Sequence, residues 1–207
     1  DGVWNTASDG SGTPYTASNC AIATGENTTL YAVWTEYGKV TVTYDCDNNG
    51  NSSNPTQTET VYAGQSMTVA TNNCTKTGYT LANNGRWTVY VNGADSSTGS
   101  VSGGTSYTTV SDTNSVKFKA TWTPKTFTIK YDCNAAEGGT GSVSNGTATY
   151  GSSFTPATSG CSRTDYNFNG WTATINDTTL MFNSTAVSWT WDSTSTTITL
   201  TARYAQG

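Results

Sequence analysis

From Lys39 to Cys46 the chain reads KVTVTYDC, with Val40, Val42, Tyr44 and Cys46 at every second position and mostly polar residues between them. A period of two is that of a β-strand with one face buried. The pattern returns 87 residues later as TFTIKYDC, where Phe127, Ile129, Tyr131 and Cys133 form the apolar row. Three further segments alternate in the same way: TLYAVW ending at Trp34, FKATW ending at Trp122 and LTARY ending at Tyr204. Their predicted core faces are Leu30, Ala32 and Trp34, then Phe118, Ala120 and Trp122, then Leu200, Ala202 and Tyr204. Between Gly64 and Thr71 a short helix or an extended segment is open, with Thr68, Val69 and Thr71 favouring the extended one.

These segments are landmarks of an internal repeat. Cys74 follows Cys46 by 28 residues and Cys161 follows Cys133 by 28. CTKTGYTLANNGRW runs to Trp87 as CSRTDYNFNGW runs to Trp171, and Gly2-Val3-Trp4 looks like the end of a third such segment. The chain is thus expected to hold the C-terminal half of one repeat (1–34), a complete repeat (35–122) and a second complete repeat (123–207). Two sources for the missing front half of the first repeat are open, a longer array or strand addition from another chain, and the array is favoured. The connections, 35–38 and 123–124, are short enough to predict a semi-rigid rod.

Thr (44), Ser (23), Asn (19) and Gly (21) fill more than half of the 207 positions, a composition that would fit disorder were it not for seven Trp, twelve Tyr and five Phe. These supply the apolar area for small cores, and the Thr, Val, Tyr and Trp content favours strands. The chain has no His and a net charge of -5. It lacks the basic surface that nucleic acid or an anionic membrane requires, and no run of residues is long and apolar enough for membrane insertion. The first residues show no signal-peptide pattern, so a mature or internal segment is expected.

Five cysteines in so polar a chain point to an oxidising compartment. The repeated spacing pairs Cys46 with Cys74 and Cys133 with Cys161, leaving Cys20 unpaired, interchain or bonded within the missing half-repeat. Without His or a close Cys pair, metal ligation is not expected. Asp45-Cys46-Asp47-Asn48-Asn49-Gly50 begins like a calcium loop, but Thr56 stands where a bidentate Glu is needed and the next copy loses the pattern, so a polar turn is the better reading. Trp4, Trp34, Trp87, Trp122 and Trp171 occupy landmarks and are expected in the core. Trp189 and Trp191 occur in one copy only; two apart on a strand, they would share a face and form a possible sugar-stacking platform, or they pack. Six Asn-x-Ser/Thr sequons match chance for this composition. No cluster of acids recurs or flanks a base, so no enzyme activity and no cofactor are expected.

The order TYDC or KYDC, then Tyr62 and Gly64 or Tyr150 and Gly151, then GYTL or DYNF before a Trp, then LYAVW resembles the Listeria-Bacteroides repeats of bacterial surface proteins and is similar to the internalin B-repeat. The resemblance implies mainly β structure in tandem, β-grasp-like modules with little helix; all-β sandwich modules are the alternative. It also implies an extracellular or cell-surface location and a spacer or adhesive role. The repeats here depart from that family in their cysteines and in added length at 89–110 and 172–191. A non-catalytic stalk is the leading function, a filament subunit the second and a carbohydrate-binding module the third. The expected partners are neighbouring repeats of the same or an adjacent chain, and a host or matrix glycan or protein.

Overall fold

The computed structural model describes residues 3–18, 21, 25, 27–34, 37–158 and 160–207. Strands dominate; among the described residues the only helical turns are 3-10 turns at Asn83–Gly85 and Ala135–Glu137, and no helix is long and apolar enough to cross a membrane. Ser66–Thr68 is a strand, so the 64–71 segment follows its β-branched residues into extended backbone.

Two five-stranded sheets share one topology. The first runs Val61–Tyr62, Lys39–Asp45, Ser115–Lys119, Trp87–Val91, Gly99–Val101, and the second runs Gly146–Thr149, Thr126–Asp132, Thr197–Gln206, Tyr166–Ile175, Thr178–Phe182. In each, the leading strand lies beside the closing strand and parallel to it, from Thr41 opposite Ser115 to Asp45 opposite Lys119, and from Thr128 opposite Thr197 to Asp132 opposite Thr201. A parallel neighbour requires a long crossover, and residues 66–70 and 153–157, which follow the edge strands, supply part of it by passing over the inner face of their sheet. The alternating apolar rows point into that space: Val40, Tyr44, Cys46, Phe118 and Ala120 are buried in the second module, and Phe127, Ile129, Cys133, Leu200 and Ala202 in the third. The added lengths are also used, since Gly99–Val101 and Thr178–Phe182 form the fifth strands, while Ser106–Thr108 and Val187–Ser188 pair with the crossovers.

The first unit is a three-stranded sheet of Pro14–Tyr15, Val3–Asn5 and Tyr31–Val33. Here the core expectation fails: Trp4 is 50% exposed and Trp34 89%. In the complete modules a crossover covers this face, and among the described residues nothing equivalent lies over Trp4 and Trp34. The unit is organised instead by buried Asn5, whose amide donates to the Gly10 and Gly12 carbonyls and whose Oδ1 accepts from the Ala7 amide. Trp122 is only half buried, while Trp87 and Trp171 are fully enclosed.

Candidate functional site at the joint between modules

Each complete module is locked by the same three devices. Tyr44 Oη accepts from the Ala70 amide at 2.9 Å, and the Ala70 carbonyl accepts from the Trp87 indole at 2.8 Å. In the third module Tyr131 Oη accepts from the Ala157 amide (3.1 Å) and the Ala157 carbonyl from the Trp171 indole (2.7 Å). The crossover is therefore held between two aromatic side chains of the sheet, with both of its polar groups satisfied. Burial raises the Tyr44 pKa, an effect the Ala70 amide partly offsets; the phenol keeps its proton and donates to Gln57 Oε1 at 2.9 Å.

The second device is the disulfide, Cys46 to Cys74 and Cys133 to Cys161, which ties the end of the leading strand to the segment after the crossover. The third caps it: the Trp122 indole donates to the Cys46 carbonyl at 2.8 Å, and Tyr204 Oη donates to the Cys133 carbonyl at 2.8 Å. Tyr204 thus fills the Trp landmark because either side chain offers one donor on an aromatic plate.

Residues 74–79 form an arm leading out of the second module. The turn 47–52 holds it: the Thr75 amide donates to Ser52 Oγ, the Thr77 amide to Asn51 Oδ1, and Lys76 Nζ to the Asp47 carbonyl at 2.9 Å while lying over the Tyr79 ring. This is the turn that opens like a calcium loop. Its Asp47 meets Lys119 at 3.3 Å and its Asn48 amide is spent on Ser52, which is the chemistry of a polar turn.

At the tip of the arm, Gly78 meets the third module. Its amide donates to Asp192 Oδ2 at 2.8 Å, its carbonyl accepts from the Lys125 amide at 2.9 Å, and Lys125 Nζ binds Asp192 Oδ1 at 2.7 Å. Tyr79 packs edge-on against Tyr150, with ring centroids 5.5 Å apart. The connection itself is a strand: Trp122–Pro124 pairs with Tyr79–Leu81, carrying ladder hydrogen bonds across the expected boundary at 122/123. Gly78 has φ +78°, and a Cβ there would lie 2.3 Å from the Tyr150 ring, so both the turn and the contact require glycine.

Desolvation in the joint pulls the Asp192 pKa upward, but the hydrogen bond from Lys125, the Gly78 amide, the Lys125 charge and the Ser193 amide outweigh it and leave the group below its ordinary 3.8. A carboxyl whose pKa is lowered in the docked state favours docking wherever the free group is ionised; that contribution is lost as pH falls through the docked value. The joint is expected to loosen in strong acid. Asp192→Ala should loosen it at neutral pH by roughly 1.5–3 kcal/mol, the range for hydrogen bonds to a charged group, measured as increased relative motion of the modules by NMR relaxation.

The possible ligand platform does not form. Trp189 is fully buried, stacked with Phe182 and edge-on to Phe154, and the Trp191 ring stands at 78° to it in the same cluster. The strand here ends at Ser188, so the period-two argument that put the two indoles on one face does not apply. Cys20 lies outside the described residues. Among the described residues, no three His, Cys, Asp or Glu side chains gather as a metal site would require.

A family model for the Listeria-Bacteroides repeat domain matches residues 2–33 and 127–203. No curated protein and no solved structure matches the chain. The matched stretches leave out the second module, which nevertheless has the sheet order and the three locking devices of the third.

Proposed function

The chain belongs to the Listeria-Bacteroides repeat domain family, and from that premise we propose that it is a non-catalytic structural and adhesive segment of a bacterial extracellular or cell-surface protein. It acts as a stalk that holds a functional tip away from the cell. Its units are the half-repeat 1–34 and the complete repeats 35–122 and 123–207, each complete one adding roughly 30 Å of reach at the usual size of such domains. The observation that carries this reading is the joint: a carboxylate, an ammonium group, a glycine amide and a strand pair bind the second module to the third. An untethered linker would have none of these.

Stretching a single molecule tests the reading. Two unfolding events are expected, one per complete module. Reductant should lengthen each by about 90 Å, because the 28-residue loop closed by each disulfide then extends at about 3.4 Å per residue. Collapse without resolved events would speak against a load-bearing segment.

The exposed Trp4 and Trp34 favour a second reading as a filament subunit. A front half-repeat from another chain would cover the face they occupy, as a crossover does in the complete modules. Sedimentation across a concentration series tests this, and a monomer throughout removes it.

A further inference from the structure

The third module carries an arm of its own at residues 161–166, and it repeats the arm at 74–79 in nearly every respect. Cys161 is bonded to the leading strand as Cys74 is. Arg163 lies 3.8 Å from the Tyr166 ring centroid, where Lys76 lies 4.9 Å from that of Tyr79. The residue before each Tyr is left-handed, with φ +65° at Asp165 and +78° at Gly78. The strand that follows pairs with the end of the closing strand, Tyr166 opposite Gln206 as Tyr79 is opposite Pro124. The difference that bears on docking is at the tip: the position that is glycine in the second module is aspartate in the third.

Gly78 is buried beneath Tyr150, and its amide holds the Asp192 carboxylate. Asp165 is exposed. If a neighbour bearing the same Tyr, Lys and Asp approached this arm, the Asp165 Cβ would occupy the place of its tyrosine ring. The Asp165 carboxylate would also stand against its clamping carboxylate, a like-charge contact. We infer that the residue at this position determines the kind of joint. Glycine accepts a module carrying the counterparts of Tyr150, Lys125 and Asp192 and clamps it, whereas aspartate refuses that module, so any neighbour at the third arm is held by the strand pair alone. Order along the stalk is thereby encoded in single residues: the clamp forms after the second module and not after the third. This rests on the stalk reading above, because it presupposes that modules of this type follow one another.

The test uses the chain through Gln206 extended by a second copy of residues 125–207, so that the copy's Lys125 follows Gln206 as Lys125 follows Pro124 in the existing joint, in parent form and as Asp165→Gly, together with Gly78→Asp in the unextended chain. The readouts are NMR alignment of each module and the pH dependence of the amide shift at positions 78 and 165. In the parent, the added copy should align independently of the third module. Asp165→Gly should bring the added copy into common alignment with the third module and give the residue 165 amide the same low-pH titration that is expected of the Gly78 amide from its bond to Asp192. Gly78→Asp should free the third module from the second while both cores keep their dispersed aromatic signals. Equal behaviour of the parent and Asp165→Gly extensions overturns the inference. Independent alignment of the second and third modules in the parent chain instead overturns the stalk reading and takes the inference with it.

Discussion

Replacing Cys46 and Cys74 together by serine is expected to lower the stability of the second module by roughly 3 to 4 kcal/mol, the loop-entropy value for a bridge closing about 28 residues. A small domain holds about 5 to 15 kcal/mol in all, so this is a large share. Without the bridge, the base of the arm at 74–79 keeps its hydrogen bonds to the turn at 47–52 and the Lys76 stack but loses its covalent tie to the leading strand. That arm carries Gly78, so the substitution should also weaken the joint. Replacing Cys133 and Cys161 costs the third module a similar amount, since its loop is the same length, but leaves the joint in place, because the Cys161 arm lies away from Gly78. Urea unfolding followed by near-ultraviolet circular dichroism gives the two stabilities, and NMR relaxation gives the asymmetry. A joint equally affected by either pair would contradict the role assigned to the arm.

Trp171→Ala should be the most damaging single substitution. The side chain is fully buried between Tyr131, 4.7 Å away by ring centroid, and Phe168, 5.0 Å away. Truncating a buried tryptophan costs about 3 to 5 kcal/mol through lost transfer energy and the cavity left behind. The Ala157 carbonyl also loses its donor, which for a buried acceptor costs about 1 to 3 kcal/mol. The two losses overlap, since the truncation data already include lost polar contacts, and together they approach the whole stability of the module. Trp171→Phe separates them by keeping the plate and losing only the donor. Trp34→Ala is the internal control: at 89% exposure its cost should stay within about 0.5 kcal/mol. Thermal unfolding of the three variants ranks them, and a Trp34→Ala loss as large as that of Trp171→Ala would overturn the account of which tryptophans form the cores.

The strands and disulfides were legible because they recur. Alternation at Val40, Val42 and Tyr44 and again at Phe127, Ile129 and Tyr131 marks the leading strands, and the spacing of 28 residues marks the bridges. Burial was less legible, since it depends on what covers a face: Leu30, Ala32 and Trp34 have the same pattern as Phe118, Ala120 and Trp122, yet Leu30 is only half-buried and Ala32 and Trp34 are exposed. For Trp189 and Trp191 the spacing left a platform and packing both open, and the structure packs them: two residues of spacing define a common face only in a strand, and the chain has left its strand by Trp189. The joint was the least legible. Gly78 and Asp192 are 114 residues apart and neither recurs in the other module, so no period points to them. The one available signal was the contrast between Gly78 in TKTGY and Asp165 in SRTDY, a departure from the repeat at a position where the backbone is left-handed.

The Asp192 clamp, together with the strand pair of 79–81 and 122–124, holds the second and third modules as one body. Residual dipolar couplings measured on the whole chain test it most directly. A single alignment tensor for the two modules at neutral pH, separating into two when Asp192 is protonated in acid or replaced by alanine, is the predicted result. Two independent tensors at neutral pH would contradict it.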